Sequence, residues 1–460
     1  SLINKMLERI MAINDVINEI IWGAPILFLI VGGGIFYTIF TNFITFRKFG
    51  YAIKQTGLSI FNDDEEGEGQ VSAFEAVSTS LAASVGTGNI AGVGTAIAIG
   101  GPGAVFWMWL AAIFGMATKY AEIVLTIEYR DRTKDFRFVG GPMYYIERGT
   151  GQKWLAIIFA FLGGVATLGI GNMVQSNSVA DVLESSIGID PLMTGILLAV
   201  LSALVIFGGL NAISKVTAKV VPLMAGLYIF GGVLVILLNY DQIIPAFQMI
   251  FVDAFTGTAA FGGFAGAGLS MVIRYGVARG VFTNEAGLGS GPIAHAAATT
   301  DHPVRQGLWG IFEVFFDTIV TCTITALVII MTGVWTSGEV GAALTSLGFS
   351  EGIPYGEHMV SIGLVFFAFS TILGWSYYGE RCFEYLFGPS SKVIYRIIYI
   401  PVIAVGAIGG LQEIWDIADT LNGLMIIPNF IGLLWLSPVV VRLTKDFFGS
   451  DGIYEKEQQH

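Results

Sequence analysis

Ser84-Val85-Gly86-Thr87-Gly88-Asn89-Ile90-Ala91-Gly92-Val93-Gly94 sits in the middle of an apolar stretch near 71–99. Glycines at 86, 88, 92 and 94 cluster around one amide side chain. Each interior glycine costs a helix about 1 kcal/mol relative to alanine. The Gly88-x-x-x-Gly92 spacing also suits close helix packing, so the stretch reads as either a tight contact or an unwound turn. What surrounds it decides between the two.

The surroundings are a membrane. Hydrophobic residues make up 54% of the 460-residue chain and charged residues only 13%, where a soluble domain carries about 25% charged residues. Mean hydropathy is +0.72. That composition excludes disorder, nucleic-acid binding and a secreted disulfide scaffold. Cys322 and Cys382 lie far apart in apolar stretches, and His295, His302, His358 and His460 form no metal-ligand spacing. The first twenty residues carry Glu8, Asp15 and Glu19 where a signal peptide needs an apolar core. Ile3, Met6, Leu7, Ile10 and Met11 instead recur at helical spacing, which predicts an interfacial amphipathic helix.

Spans of roughly 20 apolar residues number eleven. They lie near 21–43, 71–99, 102–127, 154–180, 191–211, 216–238, 247–280, 305–334, 357–386, 393–410 and 413–443. If they alternate, every basic connection falls on one side. Arg47, Lys48, Arg130, Arg132, Lys215, Lys219, Arg305, Lys392, Arg442 and Lys445 are examples. The opposite connections hold Asp181, Glu184, Asp190, Asp241, Glu339, Glu351 and Glu413 without a Lys or Arg. This positive-inside pattern places the N-terminus outside and the C-terminus in the cytoplasm of a multi-pass cell-membrane protein. The acidic run at 63–68 reads as a solvated loop.

A second glycine cluster, Phe261-Gly262-Gly263-Phe264-Ala265-Gly266-Ala267-Gly268, interrupts the seventh span. Setting the first span aside, the two interrupted helices become the first and sixth of ten. Each opens a five-helix half, and the halves have opposite topology. The organisation expected is 1–70 for an amphipathic segment, extra helix and cytoplasmic loop, 71–240 for the first repeat, and 241–460 for the second with a tail. Paired breaks in inverted halves point to a transporter site, because freed backbone groups in lipid must face a polar ligand.

The all-α architecture, with eleven transmembrane helices, therefore resembles the leucine-transporter fold, a 5+5 inverted repeat with one extra N-terminal helix. Gly86-Thr87-Gly88-Asn89 matches the Gly-x-Gly-Asn of that superfamily's first core helix. The run Gly100-Gly101-Pro102-Gly103-Ala104-Val105-Phe106-Trp107-Met108-Trp109-Leu110-Ala111-Ala112-Ile113-Phe114-Gly115 is similar to the signature of the alanine or glycine:cation symporter family. So is Gly276-Val277-Ala278-Arg279-Gly280-Val281-Phe282-Thr283-Asn284-Glu285-Ala286-Gly287-Leu288-Gly289-Ser290. The resemblance implies a secondary symporter, not an enzyme. It would couple uptake of a small neutral amino acid, alanine or glycine, to a sodium gradient by alternating access, with no resident cofactor. A proton-coupled carrier is the alternative; a channel or membrane enzyme has no filter, charged ring or catalytic cluster to support it.

Candidate substrate contacts start at the first break with Ser84, Gly86, Thr87, Gly88 and Asn89. The amides of Thr87 and Gly88 suit a carboxylate. Thr167, Gly171 and Gln175 share one helical face, with Asn172 beside them. Phe264 and Gly266 belong to the second glycine cluster, Phe264 resembling an aromatic lid. Thr371 and Trp375 lie four apart on one face, with Trp375 limiting the pocket to small groups. The resemblance further implies a sodium site from the carbonyls of Ala82 and Val85 and the hydroxyls of Ser370 and Thr371. Of the intramembrane charges, Lys119 and Glu122 are expected to pair. Glu313 and Asp317 become candidates if protons are coupled, and Arg274 or Arg279 could close an inner gate on Glu285, Glu75 or Glu380.

Overall fold

A computed structural model describes residues 1–61, 65–256, 265–409 and 412–460. The chain is almost wholly helical. Among the described residues the strands are one two-residue antiparallel pair, β1 (Asp131–Arg132) and β2 (Phe138–Val139). Seven helices are long and apolar enough to cross a membrane, or eight if one bent pair counts as a single span. Eleven spans are not reached by that measure. The spans expected near 191–211 and 393–410 are helices of 16 and 17 residues. The one expected near 247–280 is divided between Ile243–Thr256 and Ala265–Asn284.

The elements that position the site can be taken in chain order. Helix α1 (Leu2–Ile21) is exposed along most of its length, and Asn18 bonds to Asp419 at 2.9 Å and Thr420 at 3.0 Å. Helix α2 spans Ala24–Phe40. Helix α3 (Ala73–Ser84) begins on a capping box: Ser72 accepts from the Glu75 amide while Glu75 reaches back to the Ser72 amide. It ends at Val85, whose φ −77 and ψ 95 are extended rather than helical. Helix α4 (Gly88–Gly100) resumes at 51° to α3. The first glycine cluster is therefore an unwound turn, not a packing stripe alone.

Helix α5 (Ala104–Glu128) follows after a tight turn at Gly101–Gly103. Its most apolar stretch is 83% buried, against 39% for α7 (Gly209–Leu238). So α5 runs through the protein interior, while more than half of α7 faces outward where lipid would be. Between them, α6 (Lys153–Ile187) widens into a π turn at Gly169–Met173. Helix α8 (Ala265–Asn284) packs along α5, bringing Gly276 against the Ala104 carbonyl and Gly280 against Met108. Helix α9 (Pro303–Met331) contains a second π region at Phe315–Cys322. Helix α10 (Gly356–Phe387) contacts both α3 and α6. Helices α11 (Ser391–Ala407) and α12 (Gln412–Leu424) complete the set.

The helices described on either side of the second glycine cluster are Ile243–Thr256 and Ala265–Asn284. Of the cluster at 261–268, residues 261–264 lie outside the described residues, and Ala265 already opens a helix. Helix α8 continues unbroken for 20 residues and then stops at Asn284. Beyond it, Glu285, Gly287 and Gly289 adopt φ of +59°, +91° and +88°, a region that L-residues other than glycine seldom occupy. Regular helix returns only briefly at Pro292–His295. A non-helical segment is thus described at 285–291, mostly within the second stretch of family resemblance.

Candidate functional site

The first break is held open by its own amide. Asn89 Oδ1 accepts from the Gly86 N–H at 3.0 Å, and Asn89 Nδ2 donates to the Asp317 carbonyl and carboxylate, both at 3.0 Å. With both ends of its amide engaged, Asn89 pins the break, and it is not among the residues that line the cavity beside it. The amides of Thr87 and Gly88 open the next helix, where first-turn N–H groups have no intrahelical carbonyl. They are available to a ligand.

A small cavity lies against this break. Ala83, Ser84, Gly86, Thr87 and Gly88 supply one wall. Gln175, Thr371 and Trp375 supply others, as the sequence suggested, together with Ile170, Phe282, Glu285 and Asn422. Helix α10 fits closely here. Thr371 Oγ1 donates to the Ala82 carbonyl at 2.8 Å and Trp375 Nε1 to the Ala83 carbonyl at 3.1 Å. A Cβ at Gly86 would stand 2.6 Å from Thr371 Oγ1, so only glycine allows the two elements this approach. Gly171 lies directly beneath the Trp375 ring, placing a large buried indole over the end of a small space.

The second break reaches the same cavity through Glu285 and is held by different groups. The Gly287 N–H donates to Glu122 at 2.8 Å. Asn429 Nδ2 donates to both the Gly287 carbonyl, at 2.8 Å, and Glu122, at 3.1 Å. Lys119 forms no ion pair with Glu122; that carboxylate is occupied by the unwound backbone. Glu313 accepts from Ser80 and from His295 Nε2 (3.0 Å). Asp317 is taken by Asn89 and by Thr318 at 3.1 Å. Glu122 and Asp317 therefore accept from groups at the two irregular segments, while Glu313 holds Ser80 and His295.

Several sequence candidates lie elsewhere. The Thr167 hydroxyl bonds to Tyr395 OH at 2.6 Å and to the Gly164 carbonyl at 2.9 Å. Asn172 Nδ2 donates to the Tyr399 carbonyl at 2.8 Å. Both tie α6 to α11, because the face that carries Gln175 into the cavity turns Asn172 toward the neighbouring helix. Ser370 Oγ donates to the Phe367 carbonyl at 2.9 Å. Phe264 lies outside the described residues, and Gly266 belongs to the first turn of α8. The expected inner gate does not form among the described residues. Glu380 pairs with Arg381 at 2.8 Å and Arg396 at 2.7 Å, Glu75 accepts from Ser214, and Glu285 accepts from Ser290.

Phe282, Glu285 and Asn422 are cavity residues that sequence reasoning did not place there. Glu285 had a usable signal, a carboxylate two residues before Gly287 in a glycine-rich, weakly charged stretch. Phe282 and Asn422 had none, since one aromatic and one amide in a span do not announce a direction.

The model of the sodium:alanine symporter family matches residues 7–459. Over 441 residues the chain is 51% identical to the sodium/alanine symporter AgcS of Methanococcus maripaludis, covering 94% of this chain and 96% of that one. It is 38% identical over 442 residues to the amino-acid carrier protein AlsT of Bacillus subtilis, covering 94% and 92%. Among solved structures it is similar to MhsT in complex with L-phenylalanine, with a TM-score of 0.51 at 13% identity, covering 82% of this chain and 99% of that one. A likeness at that identity speaks for the fold alone, a transporter fold of the leucine-transporter kind. The family and these relatives are transporters, not enzymes, and the chain belongs to the sodium:alanine symporter family.

Proposed function

We propose that this protein is a secondary symporter coupling uptake of a small neutral amino acid, alanine or glycine, to a sodium gradient. The observation that carries this reading is the open turn at 85–88, whose free amides face a small cavity capped by Trp375. The substrate carboxylate would sit on the amides of Thr87 and Gly88, and Trp375 over Gly171 sets the size limit. The relatives named for alanine and for amino-acid carriage support the same class.

Sodium takes neutral oxygen donors. The Ala82 carbonyl and Thr371 hydroxyl already meet at 2.8 Å. Ser370 donates its proton to Phe367, yet its oxygen keeps lone pairs for a cation. Val85 completes the proposed set with its carbonyl. Alternating access then rocks the broken helices against a scaffold around this site. The proposed frame has eleven spans, an extra helix within 1–70, inverted repeats over 71–240 and 241–460, the N-terminus outside and the C-terminus cytoplasmic. The basic connections described above support that orientation.

The test is alanine uptake by purified protein in proteoliposomes. An inward sodium gradient is expected to drive accumulation. Uptake driven by a proton gradient and indifferent to sodium overturns the sodium claim. Trp375→Phe is expected to admit larger neutral amino acids as competitors, and unchanged selectivity would remove Trp375 from the size limit.

A further inference from the structure

Two basic stretches, one after the first apolar span and one at the end of the last, meet in the structure. Arg47 and Lys48 follow α2 through a turn in which Asn42 and Phe43 both adopt left-handed backbone, with φ of +58° and +56°. Neither is glycine, so the turn is strained. It delivers Arg47 to a groove shared with the helix Ser437–Phe448. That helix buries Val440, Leu443, Thr444 and Phe447 and exposes Pro438, Arg442 and Lys445, the two-faced pattern of a helix at a membrane surface.

The groove has a basic end and an apolar end. Arg47, Lys48 and Lys445 line the first, together with Thr444 and Phe448. Phe40, Pro438 and Val441 line the second, beside Arg442 and Lys445. The basic end encloses about 240 Å³ and the apolar end about 470 Å³, so most of the space suits an apolar occupant. The cations are not equally free. Lys48 Nζ lies 3.9 Å from the centre of the Tyr454 ring, and Arg442 lies 3.7 Å from Glu128. Arg47 uses only Nε, which donates to the Asn42 carbonyl at 2.7 Å and leaves its two amino groups open. Lys445 has no hydrogen-bond or ion-pair partner among the described residues, and the neighbouring Asp446 is turned to His302 at 2.9 Å.

Free cations at one end of an apolar groove fit an anionic amphiphile. We propose that this groove holds an anionic phospholipid, its phosphate between Arg47 and Lys445 and its chains against Phe40, Pro438 and Val441. Arginine meets phosphate oxygens in pairs through its amino groups, and lysine adds a point charge. A soluble phosphate would leave the apolar end unfilled. The lipid then bridges α2 and the helix Ser437–Phe448, at a place where α2 is already tied to the preceding helix, Ile426–Trp435, by Tyr37 donating to the Leu433 carbonyl.

The test mixes the purified full chain in detergent with phosphatidylglycerol or with phosphatidylcholine of identical chains, and counts retained lipid by native mass spectrometry. Phosphatidylcholine carries the same phosphate but no net charge, and is expected to be retained at least about tenfold less. Arg47→Gln and Lys445→Gln are each expected to weaken phosphatidylglycerol retention by about fivefold. Lys445 has no partner to lose, so its variant tests binding without a cost to folding. The double variant Lys215→Gln, Lys219→Gln, on another basic stretch, is the control and should leave retention unchanged. Equal retention of the two lipids, no loss in Arg47→Gln and Lys445→Gln, or an equal loss in the control overturns the site. Glycerol 3-phosphate is the soluble arm: if it displaces phosphatidylglycerol at equimolar concentration, the groove recognises a free phosphate and the lipid assignment falls. The readout is binding, so it stands apart from the transport reading.

Discussion

The two helix breaks meet at one cavity but are built from opposite materials. The first, at 85–88, contains Gly86 and Gly88 outside the positive-φ region and is held by an amide three residues along from Gly86, Asn89, bonded to Asp317. The second, at 285–291, has three residues at positive φ and is held by distant helices through Glu122 and Asn429. The first break is thus largely local. The second exists because a carboxylate 165 residues away accepts its backbone N–H. The lesson is that an unwound turn in a membrane is defined by where its freed groups go, not by how much glycine it contains.

This contrast makes the second break the more fragile. Gly287→Ala places a Cβ at φ +91° and 2.6 Å from the Phe430 ring. Strain and overpacking together should cost about 2–4 kcal/mol, read as a loss of monodisperse protein on detergent gel filtration. Near-normal yield would show that the second break tolerates a helical alternative. Gly86→Ala is the matching change at the first break, where φ is not the constraint. Its Cβ collides with Thr371 Oγ1 instead. The protein should fold, while sodium-driven alanine uptake falls by at least about tenfold, roughly 1.4 kcal/mol. If Gly86→Ala instead fails to fold, the first break is as structurally demanding as the second.

Thr371→Val keeps the shape but removes the hydroxyl that meets the Ala82 carbonyl. Stability should drop by about 1 kcal/mol, and the sodium concentration for half-maximal uptake should rise. A normal sodium response would remove Thr371 from the ion site. The smallest effect is expected for Thr167→Val. Its hydroxyl joins Tyr395 away from the cavity, so stability should change by no more than about 1 kcal/mol and the alanine KM should hold. A large rise in KM would return Thr167 to the substrate wall.

Reading along the chain found the residues whose signal is local. The charge deficit identified the membrane. Gly86, Gly88 and Asn89 marked the first break, and the four-residue spacing of Thr371 and Trp375 put both on the face that meets it. Gln175 was found the same way, but Thr167 and Asn172 were carried along with it. Periodicity gives a face to within about one residue in a turn, and the π turn at Gly169–Met173 shifts that register.

Taken alone, the sequence determined a helical membrane protein of this transporter family, one broken helix, and the core of its cavity. Tertiary structure decided the irregular segment at 285–291, the fate of Glu122, and the arrival of Phe282, Glu285 and Asn422 at the same wall. Glycine serves both close packing and unwinding, so composition alone does not mark 285–291. That segment is set by Glu122 and Asn429, far along the chain, which satisfy its backbone at Gly287.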